Sequence, residues 1–178
     1  PEPSTEGASE AERFGRRVAD EDGVQFIDVS KLRELMGEEC QETVYVVDVR
    51  MRDEFRTGHI PGSSWMPGGQ AVQTADATVV VHNAPVVFIC DGVTRAAITG
   101  SWYRQMGKSE VYALDGGTVA WTHAGFDLVG EAEESGPDAE TVLGLDVALS
   151  RNREISVEDL ASDLSRAVLF VGTSAEFA

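Results

Sequence analysis

Phe88-Ile89-Cys90-Asp91-Gly92-Val93-Thr94-Arg95-Ala96-Ala97 decides how this chain is read, because an apolar run ends in a cysteine and an arginine follows five positions later. Pro85 to Ile89 has the continuous apolar character of a buried strand. Arg95 to Met106 has a helix-forming composition, with apolar residues at Ala97, Ile98, Trp102 and Met106. A short turn between them aims unpaired backbone N–H groups, and the positive end of the helix dipole, at the sulfur. Such surroundings lower a thiol pKa and hold an anion, which makes Cys90 a candidate nucleophile. The competing reading is a core cysteine at a strand end, so the flanking sequence has to decide.

Working outward, strand-like and helical fragments alternate. Gln25 to Ile27 reads as a strand, Ser30 to about Gly37 as a helix with Ser30 as its N-cap, and Val44 to Val49 as a second strand. A short strand follows near Ser64 to Met66, then a helix-like segment after Gly69, the strand ending at Cys90 with its helix, and a last strand at Val111 to Leu114. This alternation predicts an α/β fold, a parallel sheet covered by helices on both faces. Ligands of such sheets bind beyond the carboxyl ends of the strands, where Cys90 falls.

The 178 residues, 42% of them hydrophobic, suffice for one sizeable core. No apolar stretch approaches the roughly 20 residues that span a bilayer, and the start, Pro1 to Glu6, is acidic and unlike a signal peptide. Cytoplasm is the expected compartment, with no membrane partner. The net charge of −17, from 31 acidic and 14 basic residues, disfavours nucleic acid and slows the arrival of any anionic substrate. Two cysteines, Cys40 and Cys90, supply neither a disulfide framework nor a four-ligand metal site. No metal is expected.

Residues 1–22 are acidic and poor in apolar groups, and read as a loosely held leader without chemistry, with a short helix around Ala11 to Val18. The main domain is expected over 23–130. Glu131, Glu133, Glu134 and Asp138, with Gly136 and Pro137, mark an acidic linker over 131–139. In the remaining 140–178, Val168 to Phe177 aligns without gaps on Val46 to Phe55, and Val157 to Leu160 echoes Val29 to Leu32. A partial, degenerate second repeat is the expectation, in a piece of a longer tandem protein. It is expected to pack on the first domain or on a partner chain, by dimerisation or through further domains of the same kind.

Five features in order carry a resemblance: Val47-Asp48-Val49-Arg50; Glu54-Phe55; Gly58-His59-Ile60-Pro61-Gly62-Ser63; Cys90 with Arg95; and Leu114-Asp115-Gly116-Gly117 followed by Ala120-Trp121. From about Val24 to Leu128 the chain resembles the rhodanese-like sulfurtransferases. The resemblance implies a central, mainly parallel five-stranded sheet flanked by helices, and a persulfide on the loop cysteine. It implies no metal or organic cofactor. The partners it implies are a small sulfur-containing anion such as thiosulfate, or a protein persulfide or thiol acceptor.

On that reading the backbone N–H groups of Asp91, Gly92, Val93, Thr94, Arg95 and Ala96 bind substrate, and Arg95 joins Cys90 in catalysis by contacting the leaving group or persulfide. Four residues separate Cys90 from Arg95, whereas the related cysteine phosphatases carry five, so the cradle suits one sulfur atom better than a phosphate. Asp91 puts a carboxylate beside the thiol and opposes its ionisation. A catalytically silent binding or regulatory module of the same family is the alternative. Asp48 and Arg50 are expected to support the site by pairing with neighbouring polar groups, and His59 to brace its turn rather than move protons. Cys40 reads either as a second thiol accepting sulfur from Cys90 or as an inert cysteine.

Overall fold

The computed structural model describes residues 5–37, 39–40, 42–130 and 156–162. The chain divides into two units, Pro1–Ser135 and Gly136–Ala178. In the first, five strands, β1 (Gln25–Ile27), β2 (Tyr45–Asp48), β3 (Ser64–Trp65), β4 (Val86–Ile89) and β5 (Val111–Leu114), form one sheet in the order β1-β5-β4-β2-β3. Every pairing is parallel, with Val47 beside Phe88 and Phe88 beside Ala113 in the centre. The expected α/β architecture is therefore present, and β4 lies in the middle of the sheet.

The helices are α1 (Thr5–Asp22), α2 (Val29–Met36), α3 (Arg52–Thr57), α4 (Gly68–Gln73), α5 (Ala75–Thr78), α6 (Thr94–Gln105) and α7 (Gly117–His123). Because side chains alternate along a strand, β4 splits its residues between two cores. Val86, Phe88 and the following Cys90 pack with Val47, Ala97, Tyr103 and Ala19 on one face. Val87 and Ile89 pack with Leu32, Ile60, Leu114 and Trp121 on the other. Both layers are apolar, which is why β4 shows no polar alternation.

Three local expectations are corrected. Helix α2 starts at Val29 and is capped by Asp28, whose side chain accepts from Lys31 N–H at 2.7 Å, so Ser30 lies inside the helix. The buried face of α6 is made of Ala96, Ala97, Thr99, Gly100, Ser101 and Tyr103, while Trp102 is 51% exposed and Met106 is also exposed. Small residues are needed there because α6 is sandwiched between the sheet and α1; a Cβ on Gly100 would stand 3.0 Å from Val24.

The third correction concerns the leader. Residues 5–22 form an 18-residue helix that belongs to the first unit. Ala19 is buried, Ser101 Oγ donates to the Asp22 carboxylate, and Arg104 Nε donates to the Asp22 carbonyl at 3.2 Å. The acidic composition that suggested a solvated tail is the outer face of this helix. The buried residues of its inner face are Gly15 and Ala19, too small to register as an apolar stripe.

In the second unit the described residues hold one helix, α8 (Val157–Ser162), where Asp159 N–H donates to Ser156 Oγ at 3.0 Å. The segment Val168 to Phe177, on which the expected repeat chiefly rests, and the linker over 131–139 lie outside the described residues. Among the described residues no helix is long and apolar enough to cross a membrane.

Candidate active site

Cys90 follows β4 directly, and its carbonyl accepts from Thr118 N–H at 2.8 Å, which ties the strand end to the start of α7. Gly117 makes this approach geometrically available. Its φ is +55°, and a Cβ there would fall 2.1 Å from the Cys90 carbonyl oxygen. The Gly116-Gly117 pair thus serves close packing against the cysteine loop.

The Cys90 side chain is fully buried. The backbone N–H groups of Ala96 and Gly92 favour its ionised form, the former being one of the unpaired donors in the first turn of α6. Of the six expected loop donors, Ala96 and Gly92 are the ones that act on the ionisation of the sulfur. Val93 instead buries its side chain in the core, and Thr94 Oγ1 donates to Ala11 O of α1 at 2.9 Å.

The thiol pKa moves up, against the sequence expectation of a lowered one. Burial is the largest cause, the Ala96 and Gly92 N–H groups oppose it, the Asp91 charge adds to it and Arg95 opposes it. Asp91 therefore acts in the expected direction, but its carboxylate is 63% exposed and turned to Arg95, 3.0 Å away.

Arg95 does not point at the sulfur with a free guanidinium. It donates to both carboxylate oxygens of Glu54 at 2.7 Å each, in fork-to-fork geometry, besides its contact with Asp91. Arg95 holds the Glu54 carboxyl down to about 2, with a smaller contribution from Met51 N–H, which donates to Glu54 Oε2 at 2.8 Å. The Arg95 pKa is raised in turn, first by Glu54 and then by Asp91. The sequence motif assigns Glu54 no role; the pairing with Arg95 across 41 positions gives it one.

Asp48 and Arg50 form a buried pair, with Arg50 Nε and Nη2 donating to Asp48 at 2.6–3.0 Å. Arg50 Nη2 also donates to Gly58 O at 2.7 Å, which links the end of β2 to the turn containing His59. His59 is buried, stacks on Phe55 with centroids 3.7 Å apart, and sets Nδ1 2.9 Å from Phe55 O. Its backbone bridges to Val129. Trp65 lies behind this network, donating Nε1 to Arg50 O at 3.0 Å under the Arg52 guanidinium. Cys40 is half-buried, in the loop between α2 and β2.

Outside the loop, a cleft of about 550 Å³ runs between Asp91 to Arg95, Gly116 and Val119 on one side and Ala8, Ala11 and Glu12 of α1 on the other. On the far side of Arg95, a second cleft of about 380 Å³ is lined by Val49, Val72, Ile98 and Trp102.

Residues 28–124 match the family described as "Rhodanese-like domain", which is more than half of the chain. This chain is a member of the rhodanese-like domain family. The thiosulfate sulfurtransferase GlpE of Pseudomonas aeruginosa is 31% identical over 100 residues, 56% of this chain and 86% of that protein. GlpE of Pseudoalteromonas translucida is 26% identical over 104 residues, 56% of this chain and 90% of that one. A crystal structure of a thiosulfate sulfurtransferase from Pseudomonas aeruginosa superposes with a TM-score of 0.60 at 38% identity, covering 65% of this chain and 22% of that chain. The rhodanese-like chain thus spans about a fifth of that structure. These relatives support a sulfurtransferase family role for it.

Proposed function

We propose that the rhodanese-like domain moves sulfane sulfur through a persulfide on Cys90. The observation that carries this reading is the position of the Cys90 sulfur, buried at the carboxyl end of the central strand and just before α6, where the N–H groups of Ala96 and Gly92 favour its thiolate. The Cys90 thiolate attacks the outer sulfur of a donor such as thiosulfate. The new Cys90 S–S bond forms as the donor S–S bond breaks, and sulfite leaves with the electron pair. Donors fixed in the loop stabilise the anionic sulfur before and after the step without reorganising. A thiophilic acceptor, cyanide or a thiol, then removes the outer sulfur and restores Cys90.

Arg95 serves this cycle by exchanging one of its two carboxylate partners for the departing anion. Asp48, Arg50 and His59 hold the neighbouring turn from below. The test is thiocyanate formation from thiosulfate and cyanide: the wild type turns over, and Cys90→Ser does not. Equal rates for the two proteins would remove Cys90 from the reaction.

A second reading has its own support. The sulfur is buried with a raised pKa, and Arg95 is already paired to two carboxylates. Both features suit a silent rhodanese-like module that binds a partner. Such a module keeps its biological effect in Cys90→Ser, whereas a sulfur carrier loses it.

A further inference from the structure

The cleft outside Cys90 has a wall that the matched family region does not include: α1 precedes residue 28, where the match begins. The wall is fixed by three independent contacts. Thr94 Oγ1 is bonded to Ala11 O, a Cβ on Gly15 would sit 2.9 Å from Thr94 Cα, and Arg16 Nη2 lies 2.7 Å from the Asp115 carboxylate. The cleft so enclosed, about 550 Å³, falls in the range of sites that bury an organic molecule and far exceeds an inorganic anion.

Its charge is equally selective. Four carboxylates, of Glu12, Glu54, Asp91 and Asp115, share two guanidinium groups, of Arg16 and Arg95. The cleft lining itself holds two carboxylates, of Glu12 and Asp91, against the one guanidinium of Arg95, in a chain that is already strongly acidic. A dianion such as thiosulfate enters against that charge, while an ammonium group enters with it.

We infer that α1 is the specificity wall of this site, with Ala8 setting the room and Glu12 the charge for an amino-bearing organic persulfide of about the size of cysteine or a short peptide. This rests on the Cys90 reaction proposed above. The chemistry is an exchange: the Cys90 sulfur bonds to the outer sulfur of R–S–SH, the S–S bond of the donor breaks, and the thiolate RS⁻ leaves with the electron pair and takes the proton that Cys90 gave up. No oxidant or reductant is consumed.

The test has a readout that does not need turnover. Cys90 labelling, followed by peptide mass to separate it from Cys40, is timed with two methanethiosulfonates of matched size, one bearing trimethylammonium and one sulfonate. The cationic reagent is expected to react faster, and Glu12→Gln to cut the cation-to-anion ratio by about five-fold. Glu10→Gln removes the same charge from α1 at a residue outside the cleft, and is expected to leave the ratio within about two-fold. Ala8→Phe is expected to slow a cysteine persulfide donor by about ten-fold or more while thiosulfate changes little. An unchanged ratio in Glu12→Gln, an equal fall in Glu10→Gln, or equal effects of Ala8→Phe on both donors would overturn the inference. Labelling as expected with no sulfur accepted from any donor would leave the wall in place and remove the Cys90 reaction beneath it.

Discussion

Arg95 is clasped by Glu54, each guanidinium arm 2.7 Å from one carboxylate oxygen, so the start of α6 after the cysteine loop is fastened to α3 through this ion pair. Both groups are more than one-third exposed, and solvent screening keeps the contribution to stability near or below about 1 kcal/mol. Its pH dependence follows from the lowered Glu54 pKa. The stabilisation is complete above the ordinary carboxylate value and is lost as pH falls through about 2. Urea denaturation of wild type and Glu54→Gln should show a gap at pH 7 that narrows towards pH 3.

Glu54→Gln should also change anion handling. With one carboxylate gone, Arg95 keeps Asp91 alone and offers donors to a bound anion. Thiosulfate KM is expected to fall by about two- to ten-fold, measured by thiocyanate formation. An unchanged KM would mean that Arg95 does not meet the substrate.

Burial and the Asp91 charge keep the Cys90 thiol neutral beyond the ordinary thiol range. Its alkylation by iodoacetamide should therefore lag a free thiol at pH 7 and still be rising where the free thiol has levelled off. Asp91→Asn removes one of the opposing causes and should speed Cys90 alkylation at pH 7 by about two- to five-fold.

The glycines of the site differ in kind. Gly117→Ala forces a Cβ onto the Cys90 carbonyl at a positive φ, and should cost about 2 kcal/mol or more, read as a lower denaturation midpoint. At Gly92 a Cβ meets nothing within 4 Å and φ is not in the left-handed region. Gly92→Ala should stay within about 1 kcal/mol of wild type.

Asp48→Ala leaves the Arg50 guanidinium buried with Gly58 O as its remaining hydrogen-bond partner among those described. Loss of one member of such a pair costs about 3–5 kcal/mol, and the double variant Asp48→Ala with Arg50→Met should recover part of it. Chemical denaturation of the three proteins tests the coupling.

The parallel sheet was legible because β4 is buried along its whole length and β2 nearly so, which makes both read as apolar runs, the β2 run ending only at Asp48. The loop was legible as well, since Cys90, Arg95 and Gly117 are spaced by backbone requirements that leave a mark in sequence. Less visible was α1, which is held through Gly15, Ala19, main-chain carbonyls and the polar side chains of Arg16 and Asp22, none of which produces an apolar stripe. The direction of the thiol shift depends on the balance between burial and two N–H groups, a three-dimensional quantity. Glu54 and Arg95 are 41 positions apart, and only the fold brings them together.

The central claim is that Cys90 carries sulfur, and the most direct measurement is intact mass after exposure to thiosulfate, mercaptopyruvate or cysteine persulfide, followed by removal of excess donor. Wild type should gain the mass of one sulfur atom on the Cys90 peptide and lose it on addition of cyanide, while Cys90→Ser gains nothing there. A Cys90 peptide that stays at its original mass with every donor, in a protein whose Cys90 still alkylates at high pH, would contradict it.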